Sequence, residues 1–411
     1  MIKKLIYRFL ERRHYWRYVS FSEVAELYAS RTLRILALSM VNVFVAIYLY
    51  QQGYNLTFIT LVFASYYLFR AVISYPFAYL IARIGPKHAT LMSNLLFIPS
   101  LLLLIALPEY GMISIVGFTF FQALSLSLYD MAYLVDFSKV KHEDHVGKEI
   151  GYMQILDQLA RGASPFIGGF IAYWFGPQAT LFVAAFFFLI AAMPLFFTPE
   201  PVKTHQQITF HGLPWRKIRR PLVAYAAFGY DTIGSTLLWS LYIALAVFGI
   251  TSDNAIYAQL GVLASLTMVA GVTAAKIFGT IIDKHRGKEL LSISAVANAL
   301  LYLARPFVAT PFSVLMVNVV NQFATAGYSL PFTKGLFALA DDLPGYRIAF
   351  ITLMNGAASL GAMVVCLIVC GLSLVVDETT SLQWTYGISA AIVLLIMVHK
   401  FPALNKPKIT L

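Results

Sequence analysis

The sequence predicts an all-α polytopic membrane protein with twelve transmembrane helices in two six-helix bundles and both termini in the cytoplasm. Three observations carry this prediction. Of the 411 residues, 59% are hydrophobic and only 12% are charged, about half the charged fraction of a typical soluble domain. Apolar runs of about 20 residues, the length that crosses a bilayer, recur along the whole chain. Lysine and arginine are concentrated in alternate connections between these runs.

Twelve apolar runs can be drawn, six on each side of a long central connection. They lie near 31–50, 58–82, 89–107, 112–137, 149–173 and 177–198, and near 221–247, 254–282, 289–308, 312–338, 347–375 and 383–400. We therefore expect a basic interfacial helix over 1–22, an N-terminal bundle over 23–198 and a cytoplasmic linker over 199–220. A C-terminal bundle over 221–400 and a cytoplasmic tail over 401–411 complete the division.

The basic residues mark one side of the membrane. The N-terminal arm, the linker and the tail are rich in Lys and Arg, whereas the loops around 51–57, 108–111, 174–176, 248–253, 309–311 and 376–382 contain none. Because Lys and Arg accumulate on the cytoplasmic side, both termini are predicted to be cytoplasmic in a multi-pass protein of the inner or plasma membrane. The net charge of +11 then faces anionic lipid, not nucleic acid.

Two cytoplasmic loops, AYLIARIGPKHATL and GTIIDKHRGKELL, occupy matching places in the two halves. Repeated halves are common in secondary transporters, with a binding site between them. The loops resemble the signature G-x-x-x-D-R/K-x-G-x-R/K of the major facilitator superfamily, whose members fold as two six-helix bundles. The C-terminal copy keeps Gly279, Asp283, Lys284, Gly287 and Lys288, with one extra residue before Gly287. The N-terminal copy keeps Arg83, Gly85 and Lys87, but Ala82 replaces the acid. The resemblance implies that these residues belong to a cytoplasmic gate.

The fifth span, ILDQLARGASPFIGGFIAYWFG, resembles the pattern G-x-x-x-G-P-x-x-G-G of proton-driven drug antiporters in the same superfamily. Pro165, Gly168 and Gly169 match this pattern, whereas Ala160 and Ser164 replace its first two glycines. Proline bends a helix, and small residues let another helix approach closely. We predict a pivot for a rocking motion here, with static packing as the alternative. The Arg followed by Gln-Gly that drug antiporters carry in the fourth span is absent.

Five charged residues fall inside the apolar runs: Arg70, Asp130, Asp157, Arg161 and Asp231. Each costs at least about 2.5–3.5 kcal/mol at mid-bilayer on insertion scales, so each requires a partner or a function. Asp157 and Arg161 are four residues apart, and their side chains can meet. They form either a self-neutralised pair or, with Arg70 and Asp130, a network that exchanges partners and carries a proton.

Asp231 has no basic residue near it in its own span. It is either a protonatable or cation-binding acid or a hydrogen-bonded structural one. Six further charges lie near the ends of spans, and we interpret them as interfacial. They are Glu26, Arg31, Arg34, Lys276, Arg305 and Lys334.

The resemblance implies that the first, fourth, seventh and tenth helices line a central cavity. In the tenth span, an uncharged polar stripe at helical spacing consists of Asn318, Asn321, Gln322 and Thr325. These groups suit hydrogen bonding to a solute or, equally, to another helix. The same surface is predicted to include Asn42, Gln122, Tyr129, Tyr230 and Trp239.

The predicted function is secondary transport of a small solute by alternating access. Proton-coupled export (antiport) of a small amphipathic or drug-like compound is preferred. Proton-coupled import of a metabolite is the alternative, and a non-transporting receptor or scaffold is a third. The sequence contains no H-E-x-x-H, no G-x-S-x-G and no glycine-rich nucleotide loop, so no enzyme is predicted. No cofactor or metal is expected. The expected partners are the substrate, protons and the bilayer, and the resemblance implies a monomer.

Overall fold

The computed structural model describes residues 21–140, 146–196, 208–249, 254–283, 286–343, 345–399 and 401–404. Every regular element within these ranges is helical. The predicted interfacial helix over 1–22 lies almost wholly outside the described residues, as does the first part of the central linker, 199–207.

Twelve long helices, several of them interrupted, can be traced in the described chain. In the first half these are α1 (Phe21–Asn42, continued by Val45–Gln51), α2 (Leu56–Ile84), α3 (Pro86–Ile105), α4 (Met112–Val140), α5 (Val146–Phe175) and α6 (Pro177–Ala192, extended by the 3-10 turn Met193–Phe196). A short helix, Leu107–Tyr110, precedes α4.

The second half repeats this organisation. Its helices are α7 (Trp215–Ser235, Leu237–Tyr242 and the π-helix Ile243–Phe248), α8 (Ala255–Leu266 and Met268–Asp283), α9 (Gly287–Ala304 with the 3-10 turn Arg305–Phe307), α10 (Pro311–Asp341), α11 (Arg347–Ser373) and α12 (Glu378–Val393 with the 3-10 turn Leu394–Val398). A last 3-10 turn spans Pro402–Leu404. The helix α7 begins inside the segment 199–220 that was expected to be linker.

Local sequence explains where several helices begin. Gly85 and Gly176 have φ of +89° and +85°, which glycine adopts without the steric penalty of a Cβ. Each is followed by a proline at the first helical position of α3 or α6, where its missing N–H costs nothing. Asp377 accepts a hydrogen bond of 2.9 Å from the Thr380 amide and caps α12. Hydrogen bonding from Thr380 holds the pKa of this carboxyl below its ordinary value.

Ten of these helices are long and apolar enough to cross a membrane, among the residues that the structure describes. The other two are α5, which carries the charged residues Asp157 and Arg161, and α10, which carries the polar stripe, and these residues lower their hydropathy. The prediction of an all-helical architecture is therefore confirmed for the described residues, with ten candidate membrane spans. The count of twelve spans and the side on which the termini lie stay predictions.

Helices α5 and α8 join the two halves by direct backbone contact. A Cβ on Gly169 would lie 2.4 Å from the Tyr257 carbonyl oxygen, and one on Gly261 would lie 2.3 Å from the Pro165 oxygen. Real Cβ atoms do not approach so closely, so both positions require glycine. A matching contact between halves joins α2 to α11, where Asn355 Nδ2 donates to Ser74 Oγ at 2.8 Å.

Candidate functional site: charges and amides between the helices

Arg70 and Asp130 form an ion pair between α2 and α4. Arg70 Nη2 lies 2.5 Å from Asp130 Oδ2, and the side chains are 11% and 41% exposed. The same Nη2 lies 3.4 Å from Asn355 Oδ1 on α11, in the other half of the protein. Asp130 is therefore accessible, whereas Arg70 is mostly buried. Through Arg70, the pair contacts both halves of the protein.

Asp157 pairs with Arg31 of α1, which corrects the interpretation of both residues. Arg31 Nη2 lies 2.6 Å from Oδ2, and Nε lies 3.1 Å from Oδ1. The guanidinium also lies 4.0 Å from the ring centroid of Tyr133. This two-point geometry satisfies a buried carboxylate better than a flexible neighbour one turn away. Arg31 is thus not an interfacial charge.

Arg161 is exposed and has no hydrogen bond or ion pair with any residue that the structure describes. The predicted pair of Asp157 with Arg161 does not form in this structure. The predicted four-residue network is instead present as two separate pairs, Arg70–Asp130 and Arg31–Asp157, with Arg161 outside both.

Asp231 is buried and saturated with hydrogen bonds. Its Oδ1 accepts from Asn298 and Tyr302 at 2.9 Å and from Ser235 at 3.2 Å. Tyr328 donates to Oδ2. Four donors from three helices favour the hydrogen-bonded structural alternative. No basic side chain of the described chain forms a direct ion pair with it.

Two arginines that we interpreted as interfacial, Arg34 and Arg305, are fully buried. Arg34 donates to Asn94 at 2.7 Å and to Ser125 at 3.1 Å, and its guanidinium lies 3.9 Å from the Tyr129 ring centroid. Neutral acceptors and an aromatic face therefore stabilise this cation. The interfacial interpretation was wrong because helix packing, and not nearness to a span end, decides exposure.

Arg305 is held in the same manner in the second half. It donates to Ser235 at 2.9 Å and to Asn321 at 3.1 Å, and it lies 4.1 Å from the Tyr302 ring centroid. Since Ser235 also donates to Asp231, this cation and that acid are linked through one hydroxyl group.

The two halves hold charges of opposite sign at related places. Arg34 on α1 meets Asn94 of α3 and Tyr129 of α4. Asp231 on α7 meets Asn298 of α9 and Tyr328 of α10. The two tyrosines occupy the same position counted from the first residues of α4 and α10. The repeat seen in the loop motifs thus extends into the buried polar groups.

Some of the predicted cavity residues are hydrogen-bonded within the protein, and others are not. Trp239 Nε1 donates to Asn318 Oδ1 at 2.6 Å, Asn321 accepts from Arg305, and Tyr230 is hydrogen-bonded to Ser389. Asn42 is exposed at the interruption of α1. Among the predicted cavity residues, Gln122, Tyr129 and Thr325 each have a buried polar atom without a hydrogen-bond partner in the described structure.

Gln322 of α10 and Gln158 of α5 meet at Gly271 of α8. A Cβ on Gly271 would lie 2.8 Å from Gln158 Oε1 and 3.1 Å from Gln322 Oε1. Two amides from opposite halves thus lie beside one glycine. Gln158 was missed from the sequence, although its position three residues before Arg161 places it on the same side of α5.

The predicted gate residues are only partly described. Lys87 Nζ lies 3.2 Å from Glu26 Oε2, Gly85 forms the turn before α3, and Arg83 is exposed. In the second half, Gly287 packs against Leu404, and Lys288 is exposed. Lys284 and the side chain of Asp283 lie outside the described residues, and Gly279 has no atom within 4 Å of a Cβ built on it.

The predicted pivot residues have defined contacts. A Cβ on Gly168 would meet Met40 of α1 and Thr180 of α6, and one on Gly162 would overlap Met268 of α8. Pro165 contacts Gly261 through its carbonyl group. These contacts explain the small residues of α5 as packing surfaces towards both halves.

At the end of the bundles that the charge pattern predicts to be non-cytoplasmic, hydrogen bonds join the halves. Glu378 accepts from the Tyr50 hydroxyl at 2.8 Å and from the Leu56 amide at 2.9 Å. Tyr257 donates to Gln51 at 2.6 Å.

Comparison with known proteins identifies the class to which this architecture belongs. The sequence model of the Major Facilitator Superfamily matches residues 27–365, and the chain belongs to this superfamily. The resemblance seen in the loop motifs is thereby confirmed. The chain is an integral multi-pass membrane protein of a transporter family.

Solved structures share this fold. A POT family transporter in complex with 5-aminolevulinic acid has a TM-score of 0.67 and 14% identity, with 93% of this chain and 97% of that one covered. The human organic anion transporter MFSD10 (TETRAN) has a TM-score of 0.68 and 11% identity, with 91% and 97% covered. The transporter FucP in its outward conformation has a TM-score of 0.63 and 15% identity, again with 91% and 97% covered. No curated protein sequence gives a significant match.

Proposed function

We propose that this protein is a proton-coupled secondary transporter that moves a small solute by alternating access. The observation that carries the proposal is the Arg70–Asp130 pair, which lies within the first half and reaches Asn355 of the second. A charge pair in contact with both halves is placed to sense a proton and to change the contact between them.

Asp130 is the proton-binding group in this proposal. Its side chain is 41% exposed, so a proton can reach it without unfolding a helix. Protonation removes the negative charge and weakens the charge-assisted bond to Arg70. The guanidinium then keeps its weaker contacts with Asn355 and with the rings of Tyr66 and Tyr67, and the balance of bonds along α2 and α11 changes.

The glycine contacts between α5 and α8 supply the surface along which the halves rock. Rocking of one repeat against the other around a fixed site is the general principle of alternating access. Backbone contacts without long side chains allow such a change with few rotamers to rearrange. This supports the predicted pivot at Pro165, Gly168 and Gly169.

The direction of transport follows the sequence pattern of α5, which favours export of an amphipathic compound. The packing of Gly162 and Gly169 on α8 is compatible with both export and import. Import with a proton is therefore the second candidate, and among the similar solved structures is the fucose:proton symporter of E. coli.

The test uses purified protein in liposomes under an imposed pH gradient of either sign. Four solute classes serve as probes: short carboxylates, sugars, small peptides and cationic amphiphiles. We expect one class to accumulate against its gradient, and the sign of the effective pH gradient gives the direction. Asp130→Asn should abolish this accumulation and preserve solute exchange at equal pH, whereas Asp342→Asn, at an exposed position, should not. Normal proton-driven accumulation by Asp130→Asn would refute coupling at this residue.

A further inference from the structure

We propose that the transported solute carries a carboxylate or an equally compact anionic group, which binds the guanidinium of Arg161 in the interior of the bundles. Gln158 of the same helix and Gln322 of α10 flank this site. The inference rests on the proposed transport function and names the substrate class for it.

The orientation of Arg161 is the first argument. The exposed side chains Leu159, Ala163, Phe166 and Phe170 recur at intervals of three or four residues and form the apolar, lipid-facing stripe of α5. Arg161 lies two residues from both Leu159 and Ala163, which turns it about 200° away from that stripe. Its exposure is therefore not exposure to lipid.

The neighbours of Arg161 on the helix surface define what it faces. On one flank, Asp157 is bonded to Arg31 of α1. On the other, Gly162 and Gly169 pack on α8. Arg161 lies between these two contacts and points into the space between α1 and α8. An exposed side chain in that direction borders the interior between the two halves.

The second argument is electrostatic. Arg31 and Arg70 each have a carboxylate partner, and Arg34 and Arg305 are held by neutral acceptors and aromatic rings. Arg161 has neither arrangement within the described chain. An intramembrane cation costs several kcal/mol unless it is solvated or paired, and its planar fork of donors matches a carboxylate with two parallel hydrogen bonds. An anionic solute supplies the missing partner.

The third argument is that amides of both halves converge near this position. Gln158 belongs to the first half and Gln322 to the second, and both amide groups lie against Gly271. Each amide NH2 group can donate to a bound oxygen atom. A solute that contacts Arg161, Gln158 and Gln322 together is in contact with both halves, as alternation of access around a fixed site requires.

The experiment measures thermal stabilisation of the purified protein by aliphatic, dicarboxylic and aromatic carboxylates, each compared with its neutral amide. We expect at least one carboxylate to bind and its amide to bind at least tenfold more weakly. Arg161→Gln should remove this difference, Arg161→Lys should keep part of it, and Arg219→Gln, at an exposed position of α7, should leave it unchanged. Equal binding of acid and amide, an unaltered difference in Arg161→Gln, or no carboxylate-specific stabilisation across the panel overturns the proposal.

A second measurement tests the orientation independently of any solute. Arg161→Cys, with Cys366 and Cys370 replaced by Ser, should react with a charged, water-soluble thiol reagent, and the best carboxylate should slow that reaction. Absence of labelling in folded protein contradicts an aqueous site. Carboxylate binding without transport in liposomes would instead refute the proposed function and leave this site standing. Proton-driven transport of only neutral or cationic probes would refute the anion site at Arg161 and leave the proposed transport function standing.

Discussion

Seven charged side chains inside the bundles are stabilised in different ways. Asp157 and Asp130 are paired with the guanidinium groups of Arg31 and Arg70. Asp231 has four hydroxyl or amide donors, and Arg34 and Arg305 contact neutral acceptors and aromatic faces. Each arrangement compensates for loss of hydration. Arg161 has no such partner within the described chain, and we propose that it binds the anionic group of the solute.

The partner of Asp157 can be identified by comparing two single substitutions. Arg31→Gln leaves Asp157 buried and unpaired, which is expected to lower the free energy of unfolding by about 3–5 kcal/mol. Arg161→Gln removes no contact of the described chain and should change stability by less than about 0.5 kcal/mol. Melting temperatures of the two purified variants give the comparison. An equal loss in both would restore the pair of Asp157 with Arg161.

At the scale of elements, close helix contacts explain particular glycines in α5, α7, α8 and α11. Gly169 and Gly261 allow backbone contact between α5 and α8, and Gly229 and Gly361 allow the same between α7 and α11. The first contact joins the two halves and the second lies within one half. Substitutions in the first should therefore affect transport as well as stability.

Gly169→Ala tests the contact between the halves. The added Cβ would lie 2.4 Å from the Tyr257 oxygen, so α5 and α8 must separate. Overpacking of this kind costs about 1–3 kcal/mol, and we expect a lower melting temperature together with a lower transport rate.

Gly387→Ala is the matched control for that substitution. It lies within α12 with no atom within 4 Å of the new Cβ, and alanine in a helix is favoured over glycine by about 0.5–1 kcal/mol. Its melting temperature should stay equal or rise. A similar result for Gly169→Ala would show that the two helices are not in close contact.

At the scale of the whole molecule, the protein consists of two similar halves joined along α2–α11 and α5–α8. The end predicted to be non-cytoplasmic is also closed by hydrogen bonds from Tyr50 and Leu56 to Glu378. Both donors belong to the first half and the acceptor to the second. Breaking these bonds should favour conformations that are open at this end.

Glu378→Gln is predicted to shift the population in that direction. The neutral amide has one acceptor oxygen where the carboxylate uses two, and it lacks the negative charge that strengthens both bonds. A cysteine placed at exposed Asn42, with Cys366 and Cys370 replaced by Ser, reports access by its rate of reaction with an impermeant reagent added outside.

We expect labelling to be several-fold faster in Glu378→Gln than in Glu109→Gln, which changes an exposed acid outside these contacts. Equal rates in the two variants would show that Glu378 does not restrain opening. Slower labelling in Glu378→Gln would contradict the predicted orientation of this end.

The sequence correctly predicted the properties that depend on how apolar and basic residues are distributed along the chain. Apolar length, the alternation of basic loops and the repeated loop motif indicated a helical membrane protein in two halves, and the superfamily match agrees. The polar stripe of α10 was visible as well, since helical spacing is a local property. Local spacing also suggested an ion pair between Asp157 and Arg161, which does not form in this structure. Residues at i and i+4 can meet without being each other's best partners.

The sequence by itself thus determined the class of the protein, because hydropathy and charge patterning reflect the solvent that each segment meets. Only the tertiary structure decided which charges are paired. Arg31 and Asp157 are 126 positions apart, and Arg70 and Asn355 are 285 apart. No local pattern encodes such contacts, since they depend on which helix faces pack together. The burial of Arg34 and the exposure of Arg161 follow from that same packing.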